Sequence, residues 1–487
     1  MKRRTVLLVA GSAVTGLAGC LGDGDGDTTE TPEPAQTERQ TPSPTETATP
    51  TPTPEKTATP EETATPTPDT PEDAVEAGKQ LVGDMADGAF PQALGRFRSD
   101  AQQGLSAGRI EELWLAYTAV GGPFQRIGET EEIVQGGFDG VDMALEFERG
   151  THVMRVLVDN EEGFSTVGIF ANDQYQRPDY VDTERFNIKE ATVETESCLM
   201  DATLTVPTDA QDVPGVVLVH GSDPPAIGGA DKDLSTGGSK PFKDMAEGLS
   251  SRGVAVLRYD RRSHACPNSL SAAEWTLDAI TVDDPLVALE QLRGVDAVDS
   301  TRTVVAGSSL GGLAAPRIAK RDEDLAGIAM LAGPARNFYE IFIEQFDHLA
   351  TVGEYEWTQM ANVHERWKDR IDRIRNGDYS DGDIILDYPG ALWRTVDEYD
   401  QIGTAQEIDT PAFILQGDRD YQVSPEEDFG RWQTELADRP DTQFQLYENL
   451  NHIFQYAEGP STRSEYSLAN PVDKSVIEDI ASWTQSL

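Results

Sequence analysis

A serine flanked by glycines at the end of an apolar run is the first feature of this sequence that invites chemistry. In Gly307-Ser308-Ser309-Leu310-Gly311, Ser309 stands two residues from a glycine on either side. Thr303 to Ala306 before it read as a buried strand, and Leu313-Ala314-Ala315 after it as the start of a helix. A serine on such a tight strand-to-helix turn is strained, and only small residues fit two positions away. Oriented N–H groups at the helix start would face the negative charge that develops when the hydroxyl attacks a carbonyl. By itself the pentapeptide is a weak signal, because the chain contains 43 glycines. It needs a base and an acid.

Both occur downstream at strand ends. Phe413-Ile414-Leu415-Gln416 runs into Gly417-Asp418-Arg419-Asp420, and Leu446-Tyr447 leads through Glu448-Asn449-Leu450-Asn451 to His452. Of the six histidines only His220 and His452 sit at or just beyond strand ends, and His220 precedes the serine. Nucleophile, then acid, then histidine is one of the chain orders in which serine triads occur. The reading is therefore Ser309 as nucleophile, His452 as base and Asp420 as orienting acid, with Asp418 as the fallback acid. His152 lies in a strand without a partner motif and reads as structural. His348 and His364 read as surface residues. His264 and Cys266 share a loop but make a poor metal site, and no His/Cys/Asp cluster elsewhere suggests a metal or organic cofactor.

The elements that must position these residues alternate in the manner of a largely parallel α/β sheet. Strands are expected at Val216 to Val219, Val254 to Tyr259, Thr303 to Ala306, Gly327 to Leu331, Ala412 to Leu415 and Phe444 to Tyr447, with helical stretches between them. They place an α/β domain over 182–487. An insertion over about 334–406, with amphipathic helices at Phe338 to Val352 and Trp357 to Ile374, reads as a helical lid. Phe338, Tyr388 and Trp393 are candidates for an acyl pocket, although packing of the lid onto the core is the reading the pattern favours. Arg258-Tyr259-Asp260-Arg261 reads as a loop closed by ion pairs. Residues 73–175 form a smaller α+β unit: helices at Ala74 to Met85 and Ile110 to Val120, then strands at Asp142 to Glu148, His152 to Val158 and Gly163 to Ile169.

Five segments carry a family resemblance. Val219-His220-Gly221-Ser222, Arg258-Tyr259-Asp260-Arg261-Arg262, Gly307 to Gly312, Leu415 to Val423 and Leu450-Asn451-His452-Ile453-Phe454 resemble the α/β-hydrolase superfamily. The branch they resemble is that of dienelactone-hydrolase-like and acyl-thioesterase-like serine esterases, some of which are named peptidases. The resemblance spans 182–487, and a helix-then-sheet domain ahead of the hydrolase also fits that branch. It implies an α/β-hydrolase fold without a cofactor and Asp420 as the acid. It also implies backbone N–H groups of Ser222 and Leu310 as the oxyanion hole. In that branch His-Gly-Ser is usually followed by Gly-Pro, whereas here Asp223-Pro224 follow, which puts the shape of the oxyanion loop in question.

Composition narrows the setting. Lys plus Arg number 39 against 86 Asp plus Glu, a formal charge of −47. Such a chain will not hold nucleic acid or an anionic surface by general electrostatics, and it is least self-repelling at high ionic strength, a halophilic habit. Lys2, Arg3 and Arg4, the mostly apolar Val6 to Ala18, and Leu17-Ala18-Gly19-Cys20 read as a signal peptide with a lipobox over 1–20. Cys20 would then carry a lipid and tether the exported chain to the outer face of the membrane. Residues 21–72, rich in Thr, Pro and Glu, have nothing to bury and read as an extended stalk. The remaining Cys198 and Cys266 could pair outside the cytoplasm, but one bridge is no disulfide framework, and ordinary buried thiols are the favoured reading. The sequence thus favours an exported serine hydrolase of small ester or thioester substrates. A serine peptidase with the same triad and a non-catalytic binding module are the alternatives.

Overall fold

The computed structural model describes residues 73–160, 164–222, 229–353 and 360–487, with backbone alone from 360 to 364. The signal segment and stalk expected over 1–72, Cys20 included, lie outside the described residues, as does Asp223. Residues 73–487 belong to one compact unit.

Three helices, α1 (Ala74–Ala86), α2 (Phe90–Gly95) and α3 (Ala107–Gly121), precede strands β1 (Phe124–Gln135), β2 (Phe138–Phe147), β3 (Gly150–Asp159) and β4 (Ser165–Ala171). Asp73 and Ser106 cap α1 and α3 by accepting the Glu76 and Arg109 N–H groups, which satisfies donors that a helix start leaves open. The four strands form an antiparallel meander. Its alternating buried residues, such as Val141, Met143 and Leu145 on β2, meet Leu81, Met85, Ile110 and Tyr117 from the helices. Strand β1 was not foreseen, because its FQRIGETEEIVQ sequence is mostly polar and none of its residues is fully buried.

The larger sheet is built from β5 (Phe186–Glu194), β6 (Leu199–Pro207), β7 (Val213–Val219), β8 (Ala255–Tyr259), β9 (Val298–Ser308) and β10 (Gly327–Leu331). Between them lie α4 (Pro241–Ser250), α5 (Arg262–Ala265), α6 (Asp283–Arg293) and α7 (Leu310–Arg321). The expected lid region holds α8 (Phe338–Thr351), α9 (Met360–Asn376), a ribbon of β11 (Ile384–Ile385) and β12 (Tyr388–Pro389), α10 (Gly390–Asp397) and α11 (Gln401–Glu407). Strand β13 (Ala412–Gly417), α12 (Gly430–Glu435), β14 (Thr442–Tyr447) and α13 (Lys474–Ser486) complete the chain.

Spatial order across the eight strands is β14-β13-β10-β9-β7-β8-β6-β5. Strand β6 alone runs antiparallel to both its neighbours, β8 and β5, and every other pairing is parallel. Central parallel strands bury both faces, which is why Val216-Val217-Leu218-Val219 is continuously apolar. Val217, Val219 and Val305 face one core with α6 and α7, while Val216, Leu218, Val304 and Ala306 face another with α4 and α13. The result is an α/β-hydrolase fold with helices on both faces of a mostly parallel sheet. Because β7, β9, β10, β13 and β14 are parallel neighbours, their C-terminal ends share one edge. The turns carrying His220, Ser309, Asp420 and His452 all leave the sheet there.

One expectation is corrected. Cys198 and Cys266 are joined in a disulfide, with their Cα atoms 5.9 Å apart. Cys198 immediately precedes β6, β6 pairs with β8, and β8 leads into α5, whose end is Cys266. Pairing of the strands brings together residues separated by 68 positions, a juxtaposition that spacing alone does not reveal. Closing a loop of that length constrains the unfolded chain, so reduction, or Cys198→Ser with Cys266→Ser, should lower stability by about 2–4 kcal/mol. Urea unfolding with and without reductant measures it.

Candidate active site

Ser309 sits between β9 and α7 with φ 53° and ψ −117°. Few non-glycine residues adopt a positive φ, and here the surroundings enforce it. The Ser309 N–H donates to Leu331 O on β10 at 2.8 Å, and its carbonyl accepts the Leu313 N–H at 3.0 Å. A Cβ on Gly307 would stand 2.2 Å from Gly311 O, and one on Gly311 would stand 2.6 Å from Val219 O. Backbone meets backbone at both places, so the two glycines of the pentapeptide are steric requirements of the turn. Gly307→Ala should cost about 3 kcal/mol or prevent folding; thermal unfolding of the purified variant checks this.

The turn after β7 closes against the serine. A Cβ on Gly221 would lie 2.9 Å from Ser309 Cβ and 3.5 Å from its Oγ. Ser222 continues that turn, and Leu310 follows the serine at the start of α7. His220 is buried, its ring packed against Phe242 and Tyr259, and its Nε2–H donates to Asp231 O at 3.0 Å. Burial, reinforced by the Arg261 charge, pushes its pKa down to about 4. A neutral imidazole bonded to a carbonyl anchors the turn.

His452 and Asp420 form a buried pair. Nδ1–H of His452 donates to Asp420 Oδ2 at 2.7 Å, and the two residues are 1% and 4% exposed. The same oxygen accepts Gln416 Nε2–H at 2.7 Å, and Oδ1 accepts the Gln422 and Val423 N–H groups at 2.7 and 3.0 Å. Four donors therefore hold the carboxylate in one orientation. In a neutral ring the Asp420 bond also sets the tautomer, with the proton on Nδ1 and the lone pair on Nε2. Asp418, the fallback acid, is occupied elsewhere, accepting the Asn449 N–H at 2.7 Å. No hydrogen bond between Ser309 Oγ and His452 is present among the described residues.

The other singled-out residues fall into place. His348 is half-buried rather than on the surface: its Nε2–H donates to Ser461 O at 2.7 Å and its ring stacks on Tyr421 with centroids 4.8 Å apart. The amphipathic pattern of α8 did not foretell that this edge would meet the loop after Asp420. His364 lies among the residues whose side chains are not described. His152 does have a partner, Asp173 at 2.6 Å, which lies in a loop beyond β4. Cys266 is tied up in the disulfide, so His264 has no thiolate beside it. Phe338, Tyr388 and Trp393 are buried together, and Trp393 Nε1–H donates to Ile385 O at 2.8 Å. They pack the lid, as the pattern favoured. Arg258 pairs with Asp233 at 2.9 Å, and Asp260 accepts the Lys232 N–H at 2.7 Å, so this loop is closed by polar contacts. Gln416 was missed; its place at the end of β13, four residues before Asp420, is the signal that could have found it.

This fold and edge define a class of protein. Residues 216–460 match the model of the alpha/beta hydrolase family, and the chain belongs to that family. It is similar to esterase EstD of Thermotoga maritima, 31% identical over 398 residues covering 81% of this chain and 91% of that one. That alignment is longer than the segment from Asp182 to Leu487, so it takes in part of the preceding α+β segment as well. Among solved structures, Est1E from Butyrivibrio proteoclasticus aligns at 15% identity and TM-score 0.39, over 61% of this chain and 99% of its own. A puromycin-hydrolyzing peptidase of Mycobacterium tuberculosis aligns at 15% identity and TM-score 0.41, over 71% and 46%.

Proposed function

We propose that the chain is a serine carboxylic-ester hydrolase acting on small ester or thioester substrates through an acyl-enzyme. Ser309 is the nucleophile, His452 its base, and Asp420 the group that fixes the imidazole tautomer and stabilises the imidazolium. The oxyanion is held by the backbone N–H groups of Ser222 and Leu310, each worth roughly 3 kcal/mol in the transition state. Water activated by His452 then releases the acyl group. The observation that carries this reading is the buried His452–Asp420 pair, four donors deep, on the sheet edge that also holds the Ser309 elbow. Kinship with a protein named an esterase supports the substrate class. The basic start, apolar stretch and lipobox support export and tethering through Cys20.

Short p-nitrophenyl acyl esters and aminoacyl-anilides, assayed in high salt, test the reading. Faster ester turnover is the expected result. Anilides cleaved faster than esters would make the chain a peptidase with the same triad. No turnover of either, together with no fluorophosphonate labelling, would leave a binding module.

A further inference from the structure

The acid and the base are each preceded by a residue that reaches the same buried carboxylate. Glu465, in the turn Ser464–Ser467, is 0% exposed. Its Oε1 accepts Asn451 Nδ2–H at 2.9 Å, Ser461 Oγ–H at 2.8 Å and Arg419 Nη1–H at 3.2 Å. Its Oε2 accepts Arg419 Nη2–H at 2.8 Å and the Thr462 N–H at 3.2 Å. Arg419 immediately precedes Asp420, and Asn451 immediately precedes His452. Asn451 Oδ1 in turn accepts the Ile453 and Gln455 N–H groups at 3.2 and 3.0 Å, which brackets His452 from both sides. One carboxylate thus spans the loops that leave β13 and β14.

The clamp is itself held from the N-terminal α+β unit. Glu112 of α3, also 0% exposed, accepts the Ser464 N–H at 2.8 Å and the Ser464 Oγ–H at 2.9 Å. Arg109 on the same helix pairs with Glu112. These carboxylates are removed from water and fully engaged, the condition under which a polar network rigidifies a site rather than simply adding stability.

We infer that Glu465 is a positioning residue for the His452–Asp420 pair, and that Glu112 makes the α+β unit a working part of the hydrolase. This rests on the triad reading above. Five donors converge on Glu465, and an amide at that position would turn an N–H₂ toward some of them, so Glu465→Gln should loosen both loops. A displacement of about an ångström in a catalytic group can lower turnover by roughly a hundredfold.

The test uses the full chain with an ester substrate, turnover being normalised by fluorophosphonate titration of active sites. Glu465→Gln is expected to lower kcat per titrated site by about a hundredfold with KM little changed, and Glu465→Asp to recover part of it. Glu112→Ala, further from the chemistry, should lower kcat by about tenfold and carries the test if Glu465→Gln does not fold. Asp244→Asn is the control. Asp244 is a buried carboxylate bonded to Tyr175 OH and the Val472 N–H, outside the network, and its loss should lower the melting temperature without changing kcat per site. Wild-type kcat per site in folded Glu465→Gln would overturn the inference, and so would wild-type kcat in Glu112→Ala if Glu465→Gln cannot be obtained. Ser309→Ala separates the two readings: if that variant is inactive while Glu465→Gln is normal, only the positioning role fails. If Ser309→Ala remains active, the triad itself fails.

Discussion

Replacing Ser309 with alanine is expected to lower ester kcat by about 10⁶-fold while the protein remains folded. The elbow is built by backbone: Ser309 N–H bonds Leu331 O, and glycines at 307 and 311 admit the carbonyls that press on them. None of these contacts uses the hydroxyl, so its removal takes away the proposed nucleophile and leaves the turn. Alanine tolerates a φ of 53° no better than serine, so the change in stability should be small. Residual turnover above the uncatalysed rate would come from the oxyanion N–H groups and from binding, not from a second nucleophile. Steady-state kinetics alongside a thermal melt measure both parts of this expectation.

Asp420→Asn should lower kcat by about 10⁴-fold with little change in KM. The asparagine oxygen can still accept the Gln422 and Val423 N–H groups, which leaves its amide facing His452 Nδ1 and Gln416 Nε2–H. An N–H₂ group there accepts nothing. His452 would have to present a lone pair at Nδ1, which moves the proton to Nε2, where it can no longer take one from Ser309. The imidazolium formed during attack would also lose its counter-charge. Comparable folding of the variant, checked by circular dichroism, assigns the loss to the tautomer rather than to the loop.

The turns that carry Ser309 and Asp420 were legible because each follows an apolar run that a parallel strand buries, and chain order singled out His452, beyond the polar edge strand β14, over His220 as the candidate base. The same logic gave six of the eight strands of the larger sheet. It failed for β5, which is exposed on both faces over much of its length and whose sequence is as polar as a loop. It passed over β6 as well, although that strand is largely buried; its LMDATLTVP sequence mixes polar and small residues with the apolar ones and sets no clear alternation. The shell of donors around Asp420 was harder still. Gln416 could be found by its strand position, but Glu465 reaches Asn451 and Arg419 across 14 and 46 positions and Glu112 reaches Ser464 across 352, and an isolated glutamate carries no local signature. The disulfide belongs with these, since it follows from strand pairing. The half-buried edge of α8 at His348 is set by where the lid docks, which periodicity along one helix does not encode.

The most direct measurement is the site of covalent capture. After reaction of the active protein with a fluorophosphonate, intact-mass and peptide mapping should find one adduct, on Ser309, with its formation rate collapsing in His452→Ala. Full ester turnover by protein in which Ser309 remains unmodified, or an inactivating adduct on another residue, would contradict the account.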